Sequence, residues 1–121
     1  MSDKLTFSDL DKANNKRLAS GAFQRGEQLH SSLDDWNELE WCGAVCGEAG
    51  EAANKAKKLR RGDYDNDVDA KLAAEYDLAK ELADTIIYAS LAIQRLGFST
   101  GAMVAAAFND KSKQIGSGVL L

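Results

Sequence analysis

Proline is absent from the chain, and histidine and cysteine are scarce: one histidine, His30, and two cysteines, Cys42 and Cys46. Without proline, no stretch carries the residue that most strongly breaks a helix. Runs of Val, Ile, Thr and aromatics, the usual strand formers, are also scarce, while Ala, Leu, Glu and Lys dominate. The single histidine excludes the paired Glu-x-x-His ligands of a di-iron bundle. It also leaves the cysteines short of the further ligands a zinc site needs. Cys42 and Cys46 are four apart, on one face of a helix, which suits a disulfide poorly. They are expected as small buried thiols. No apolar run approaches the roughly 18 residues of a membrane span. The start, "MSDKLTFSDLDKANNKR", is polar and lacks an apolar signal core. A cytoplasmic protein without a membrane partner is expected. Net charge is −4, with acids spread along the chain, so a nucleic-acid polymer is not the expected partner.

What remains is a helical composition. With 121 residues, 45% hydrophobic and 28% charged, the chain suits one soluble domain over 1–121 with one core. The expected fold is all-α and four-helix bundle-like. A first helix is predicted over about Phe7–Ala19, capped by Thr6 or Ser8. Residues 20–32, "SGAFQRGEQLHSS", read as a loop. A long second helix is predicted from near Asp34 to about Arg61. "RGDYDND", 61–67, has turn chemistry, and its "RGD" is read only as a turn. A third helix spans about Val68–Leu96, with Leu72, Tyr76, Ala79, Ala83, Ile86, Ser90 and Ile93 as a core stripe. Gly97 ends it. Ser99 or Thr100 caps a fourth helix to about Gln114, and "GSGVLL" is a tail. The short turn makes helices two and three antiparallel neighbours.

The second helix contains "CGEAGEAAN", residues 46–54. Gly47 and Gly50 are weak helix formers, and they surround two acids, Glu48 and Glu51, three apart. "KELAD" in the third helix holds a second pair, Glu81 and Asp84. Acids at this spacing share a helix face. Glu48 and Asp84 lie equally far from Asn66, as do Glu51 and Glu81. In an antiparallel hairpin centred there, all four carboxylates converge at one level. Single acidic pairs usually mark a solvated face, but Asp84 directly precedes the apolar run "TIIYASLAI", where an unpaired charge is costly. Protonation or a cation relieves the repulsion. Carboxylate oxygens suit Mg²⁺, Mn²⁺ or Ca²⁺. Mg²⁺ usually shares its shell with substrate phosphates, which points to a phosphate ester or anhydride. The glycines are expected to make room for a partner helix or a hydrated metal–triphosphate.

"GEAGEAANKAKKLRRG", "KELADTIIYASLAIQRLG" and "AFNDKSKQIG" together resemble the MazG-like nucleoside triphosphate pyrophosphohydrolases of the all-α NTP pyrophosphatase group. The similarity covers residues 36 to about 115. "DLDKANNKR" also fits small, single-domain, phage-like members. The spacer between Glu51 and Glu81 is longer than in the shortest members. The resemblance implies Mg²⁺-dependent conversion of (d)NTP to (d)NMP and pyrophosphate, with Mn²⁺ as a possible substitute. Glu48, Glu51, Glu81 and Asp84 would be the metal ligands, water would attack the α-phosphorus, and pyrophosphate would leave. One carboxylate not saturated by metal would accept the water proton; Glu51 is the candidate. The implied role is nucleotide-pool cleansing or control in a bacterial or phage-infected cytoplasm. Many members are dimers or tetramers, so a homo-oligomer is expected, with the alanine-rich "GAMVAAAF" as one face for close packing.

Several residues carry two readings. Lys55 and Lys58 lie one and two turns beyond Glu51, to hold phosphate oxygens or to form a solvated basic helix end. The resemblance places Asn109 and Lys111 in a substrate-binding segment, Lys111 toward phosphate and Asn109 toward phosphate or sugar. Trp36 and Trp41 precede the acids, as core or, for Trp41, as a platform for the base. Asn14 and Arg17 are candidates to close the pocket from the first helix. No residue encodes a base preference, including the guanine preference of an enzyme that reshapes purine pools. The alternative is a non-catalytic helical module that binds a divalent metal or nucleotide for regulation.

Overall fold

The computed structural model describes residues 4–19 and 36–121. The expected loop at 20–32, His30 and the predicted helix start at Asp34 lie outside the described residues. Among the described residues there are four helices and no strand: α1 (Phe7–Ala19), α2 (Glu38–Arg61), α3 (Val68–Arg95) and α4 (Thr100–Ile115). The all-α expectation holds. Trp36 and Asn37 are not helical, so α2 begins at Glu38.

Local chemistry sets these ends. Thr6 Oγ1 accepts the Asp9 N–H at 3.1 Å, and the Asp9 carboxylate accepts the Thr6 N–H at 3.1 Å. This reciprocal box starts α1. It holds the Asp9 carboxyl below its ordinary range, chiefly through those Thr6 hydrogen bonds. Asp67 accepts the Ala70 N–H at 3.1 Å and starts α3. Ser99 does the same for Ala102 at the start of α4. α2 stops at Gly62, where φ is +89°. There the Gly62 and Asp63 N–H groups turn back to the Leu59 and Lys58 carbonyls at 3.1 and 3.2 Å. This double bond pattern satisfies carbonyls the helix leaves open. α3 and α4 end the same way at Gly97 and Gly116.

The chain divides into two compact units, Met1–Glu38 with Ser90–Leu121, and Leu39–Ala89. In the first, α1 meets α4. A Cβ on Gly101 would lie 3.6 Å from Phe7 Cβ, so the small-residue start of "GAMVAAAF" packs on α1. Asp11 accepts the Thr100 N–H at 3.0 Å and the Thr100 hydroxyl at 2.6 Å. An anion at that position also complements the α4 dipole. Asn14, 3% exposed, donates to Ser90 Oγ and Gln94 Oε1, both at 2.8 Å. Gln94 in turn donates to the Asp11 carbonyl at 3.0 Å. Leu91 is the buried apolar residue at this level.

The second unit is the α2–α3 hairpin. Trp41, 1% exposed, lies against Tyr88 with ring centroids 6.4 Å apart. Trp41, Ala44, Val45, Glu48, Ala52, Lys55, Lys58 and Leu59 are its buried or half-buried α2 positions. Their spacing puts them on one helix face. Cys42 and Cys46 are exposed, against expectation. Each follows or precedes that face by a residue or two, and about 100° per residue turns it outward.

The predicted core stripe of α3 needs a larger correction. Leu72, Tyr76, Ala79, Ala83 and Ile86 are exposed, and of the stripe only Ser90 is buried, with Ile93 half-buried. Ala74, Leu78, Glu81, Thr85 and Tyr88 are half-buried instead. Both sets recur at spacings of three and four, so periodicity alone favours neither.

Candidate functional site

α2 and α3 bring three carboxylates together. One oxygen each from Glu48, Glu81 and Asp84 lies within 4.8 Å of the other two. Glu48 and Glu81 are half-buried and Asp84 is exposed. Glu48 and Glu81 share a side-chain hydrogen bond, which two carboxyls form only when one holds a proton. The Glu48 carboxyl is accordingly pushed above its ordinary range. Loss of hydration is the leading cause, followed by the hydrogen bond with Glu81 and the negative charges of Glu81, Asp84 and Glu51.

The convergence follows from the helix ends. Glu48 precedes Arg61, the last residue of α2, by as many residues as Glu81 follows Val68, the first of α3. Trp41 and Tyr88 obey the same symmetry. The centre of the hairpin thus falls between Tyr64 and Asp65, earlier than Asn66. This offset makes Glu48 the partner of Glu81 and leaves Asp84 one turn further along α3. Glu51 is exposed and outside the three-oxygen set, although its charge reaches Glu48. Of the four acids expected to converge, three do.

The donor set fits a hard divalent cation. Oxygens sharing one Mg²⁺ lie up to about 4.2 Å apart, twice a bond of roughly 2.1 Å. A cation would also replace the proton on Glu48 as the relief of like charge.

The other expected site residues are placed differently. Lys55 is half-buried on the face of α2 that carries Glu48. Lys58 is half-buried nearer the turn, and its charge helps hold Asp63 low. The larger cause at Asp63 is Arg61, which donates from Nε at 2.8 Å and Nη2 at 2.6 Å. "RGD" is therefore a closed turn motif. Trp41 is in the core beside Tyr88 and offers no open ring face to a base. Asn14 spends its amide hydrogens on Ser90 and Gln94. It lies in the first unit. Arg17 lies in the last turn of α1 and is exposed. Asn109 exchanges two hydrogen bonds with the backbone of Leu121, at 2.8 and 3.2 Å, and Lys111 is exposed. All four belong to the first unit.

Gly47 and Gly50 are exposed, and a Cβ at either would meet nothing within 4 Å. Among the described residues no neighbour requires their missing side chains. Thr85 was not anticipated as part of the acidic segment; its hydroxyl donates to the Glu81 carbonyl at 3.0 Å. Such back-bonding is open to any mid-helix Thr. No single helix among the described residues is long and apolar enough to cross a membrane. Comparison with protein-family models, curated proteins and solved structures finds no match.

Proposed function

We propose that the α2–α3 hairpin carries the metal centre of a Mg²⁺-dependent nucleoside triphosphate pyrophosphohydrolase, converting (d)NTP to (d)NMP and pyrophosphate in the cytoplasm. The observation that carries this reading is the Glu48–Glu81–Asp84 cluster, in which the two glutamates are half-buried and the Glu48 carboxyl is raised above its ordinary range. Acids this close repel one another when ionised, and a bound cation would relieve that repulsion. The cation, when bound, supplies charge neutralisation for a triphosphate and a more acidic water.

The chain's own residues divide the remaining work. Glu48, Glu81 and Asp84 hold the cation. Glu51, three residues from Glu48 and outside the ligand set, accepts the proton of the attacking water. Lys55, on the Glu48 face, steadies the outgoing pyrophosphate charge. Trp41 is buried, so recognition of the base falls to other groups.

The test is a panel of NTPs and dNTPs with purified protein and Mg²⁺, resolving phosphate from pyrophosphate. The expected products are a nucleoside monophosphate and pyrophosphate. If no nucleotide is turned over while Mg²⁺ still raises the melting temperature, the site belongs to a non-catalytic metal-binding module.

A further inference from the structure

Thr85 stands beside the acidic cluster without being an acid. Glu48 and Glu81 form one level of the α2–α3 hairpin. Their neighbours toward the turn, on the same faces, are Ala52 and Leu78, both apolar. Away from the turn they are Ala44 and Thr85. The register that pairs Glu48 with Glu81 and Trp41 with Tyr88 also sets Ala44 level with Thr85. Thr85 therefore lies between the acidic level and the aromatic one, half-buried and next in the chain to Asp84.

Its hydroxyl is committed in one direction. It donates to the Glu81 carbonyl at 3.0 Å, which uses its only hydrogen. What it still offers is acceptor lone pairs. Helical side chains lean over the preceding turn, so this oxygen lies toward the turn that carries Glu81. Glu48, Glu81 and Asp84 can accept hydrogen bonds too, but each adds negative charge where three acids already meet. Thr85 accepts without adding any. Mg²⁺ held by a few carboxylates keeps several of its waters, and each water presents O–H donors that need acceptors.

We propose that Thr85 is a positioning residue for the cation, its hydroxyl accepting a hydrogen bond from a water of the Mg²⁺ hydration shell. The inference rests on the metal reading of the hairpin and adds a residue that does not ligate the metal. The hydrogen bonds then run one way, from water to Thr85 Oγ1 and from Thr85 to the Glu81 carbonyl, and each polarises the next. The same side chain thus ties the hydration shell to the backbone of a ligand. A hydroxyl that served the helix alone would matter to the fold and be indifferent to the cation.

Calorimetric titration of the full chain with Mg²⁺, beside melting curves of the metal-free protein, separates these roles. Thr85→Val keeps the branched shape and removes the acceptor. Its Mg²⁺ affinity should fall about 10–100-fold, the usual effect of losing a group that supports metal ligands. Its metal-free melting temperature should be no lower than that of wild type, since back-bonding of this kind slightly destabilises a helix. Thr85→Ser restores the acceptor and should restore the affinity. Thr85→Ala should lose the same affinity and replaces the Val variant if that one fails to fold. Wild-type Mg²⁺ affinity in a folded Thr85→Val or Thr85→Ala overturns the inference and leaves the metal reading standing. So does a Thr85→Ser that binds as weakly as Thr85→Val. A wild-type chain that binds no Mg²⁺ overturns the metal reading, and the role of Thr85 with it.

Discussion

Glu48 on α2 faces Glu81 on α3 across the hairpin, one carboxylate oxygen of each within 4.8 Å of the other. Lost hydration, the hydrogen bond with Glu81 and the neighbouring acids raise the Glu48 carboxyl, so the folded chain holds a proton there more tightly than the unfolded chain does. A carboxyl whose folded pKa lies above its ordinary 4.5 contributes stability that is complete below that value. The contribution is lost as pH rises through the raised value.

Metal-free protein should show this slope in its melting temperature, and Glu48→Gln should remove it. Gln keeps a hydrogen-bond donor toward Glu81 without needing a proton. At pH 8 the variant should melt higher than wild type, by about 4 °C for each kcal/mol of relieved repulsion. A variant with the wild-type pH slope would show that Glu48 does not hold the proton.

Metal binding and turnover should separate by residue. Asp84→Asn should abolish both turnover and the Mg²⁺-induced rise in melting temperature. Glu51→Gln should keep the Mg²⁺ response and lose roughly 10²–10⁴-fold in kcat, the usual contribution of a general base. Thermal melts with and without Mg²⁺, run beside the pyrophosphate assay, read both. Wild-type turnover in either variant removes that acid from the mechanism.

Gly47→Ala and Gly50→Ala should each stabilise the protein by up to ~1 kcal/mol. Both glycines are helical and open to solvent, so Ala gains helix propensity and meets no neighbour. Urea unfolding measures the change. Destabilisation would mean that a group beyond the described residues packs on that face.

Asn14→Ala should cost about 2 kcal/mol, because it strips buried Ser90 and Gln94 of a donor. The Mg²⁺ response should be intact, and KM unchanged. A raised KM with unchanged stability would return Asn14 to the substrate.

Much of the framework could be read from residue types. Thr6, Ser99, Gly62 and Gly97 carry local chemistry that fixes a helix end regardless of the rest of the fold, and those ends fell where expected. The two acidic pairs were equally visible. Their register was not, because it depends on where Gly62 and Asp67 stop and start the helices rather than on the middle of the turn composition. Nor could periodicity rank the two faces of α3. Leu72 and Tyr76 look more like core than Ala74 and Glu81 do, yet α2 meets the latter face. Side-chain commitments such as Asn14 to Ser90 join residues far apart in sequence and leave no local signal.

The six residues between Arg61 and Val68 act as a ruler. Their identities are constrained only in part: Gly62 is held to glycine by its φ of +89°, a conformation that L side chains rarely adopt. Their number is constrained throughout. Adding or removing one residue moves every rung of α3 past α2 by about 1.5 Å and turns it by about 100°. Glu81 would then swing away from Glu48 while both helices stayed intact. A lineage of such chains can therefore vary the lettering of this turn between Gly62 and Asp67 and still be unable to change its length.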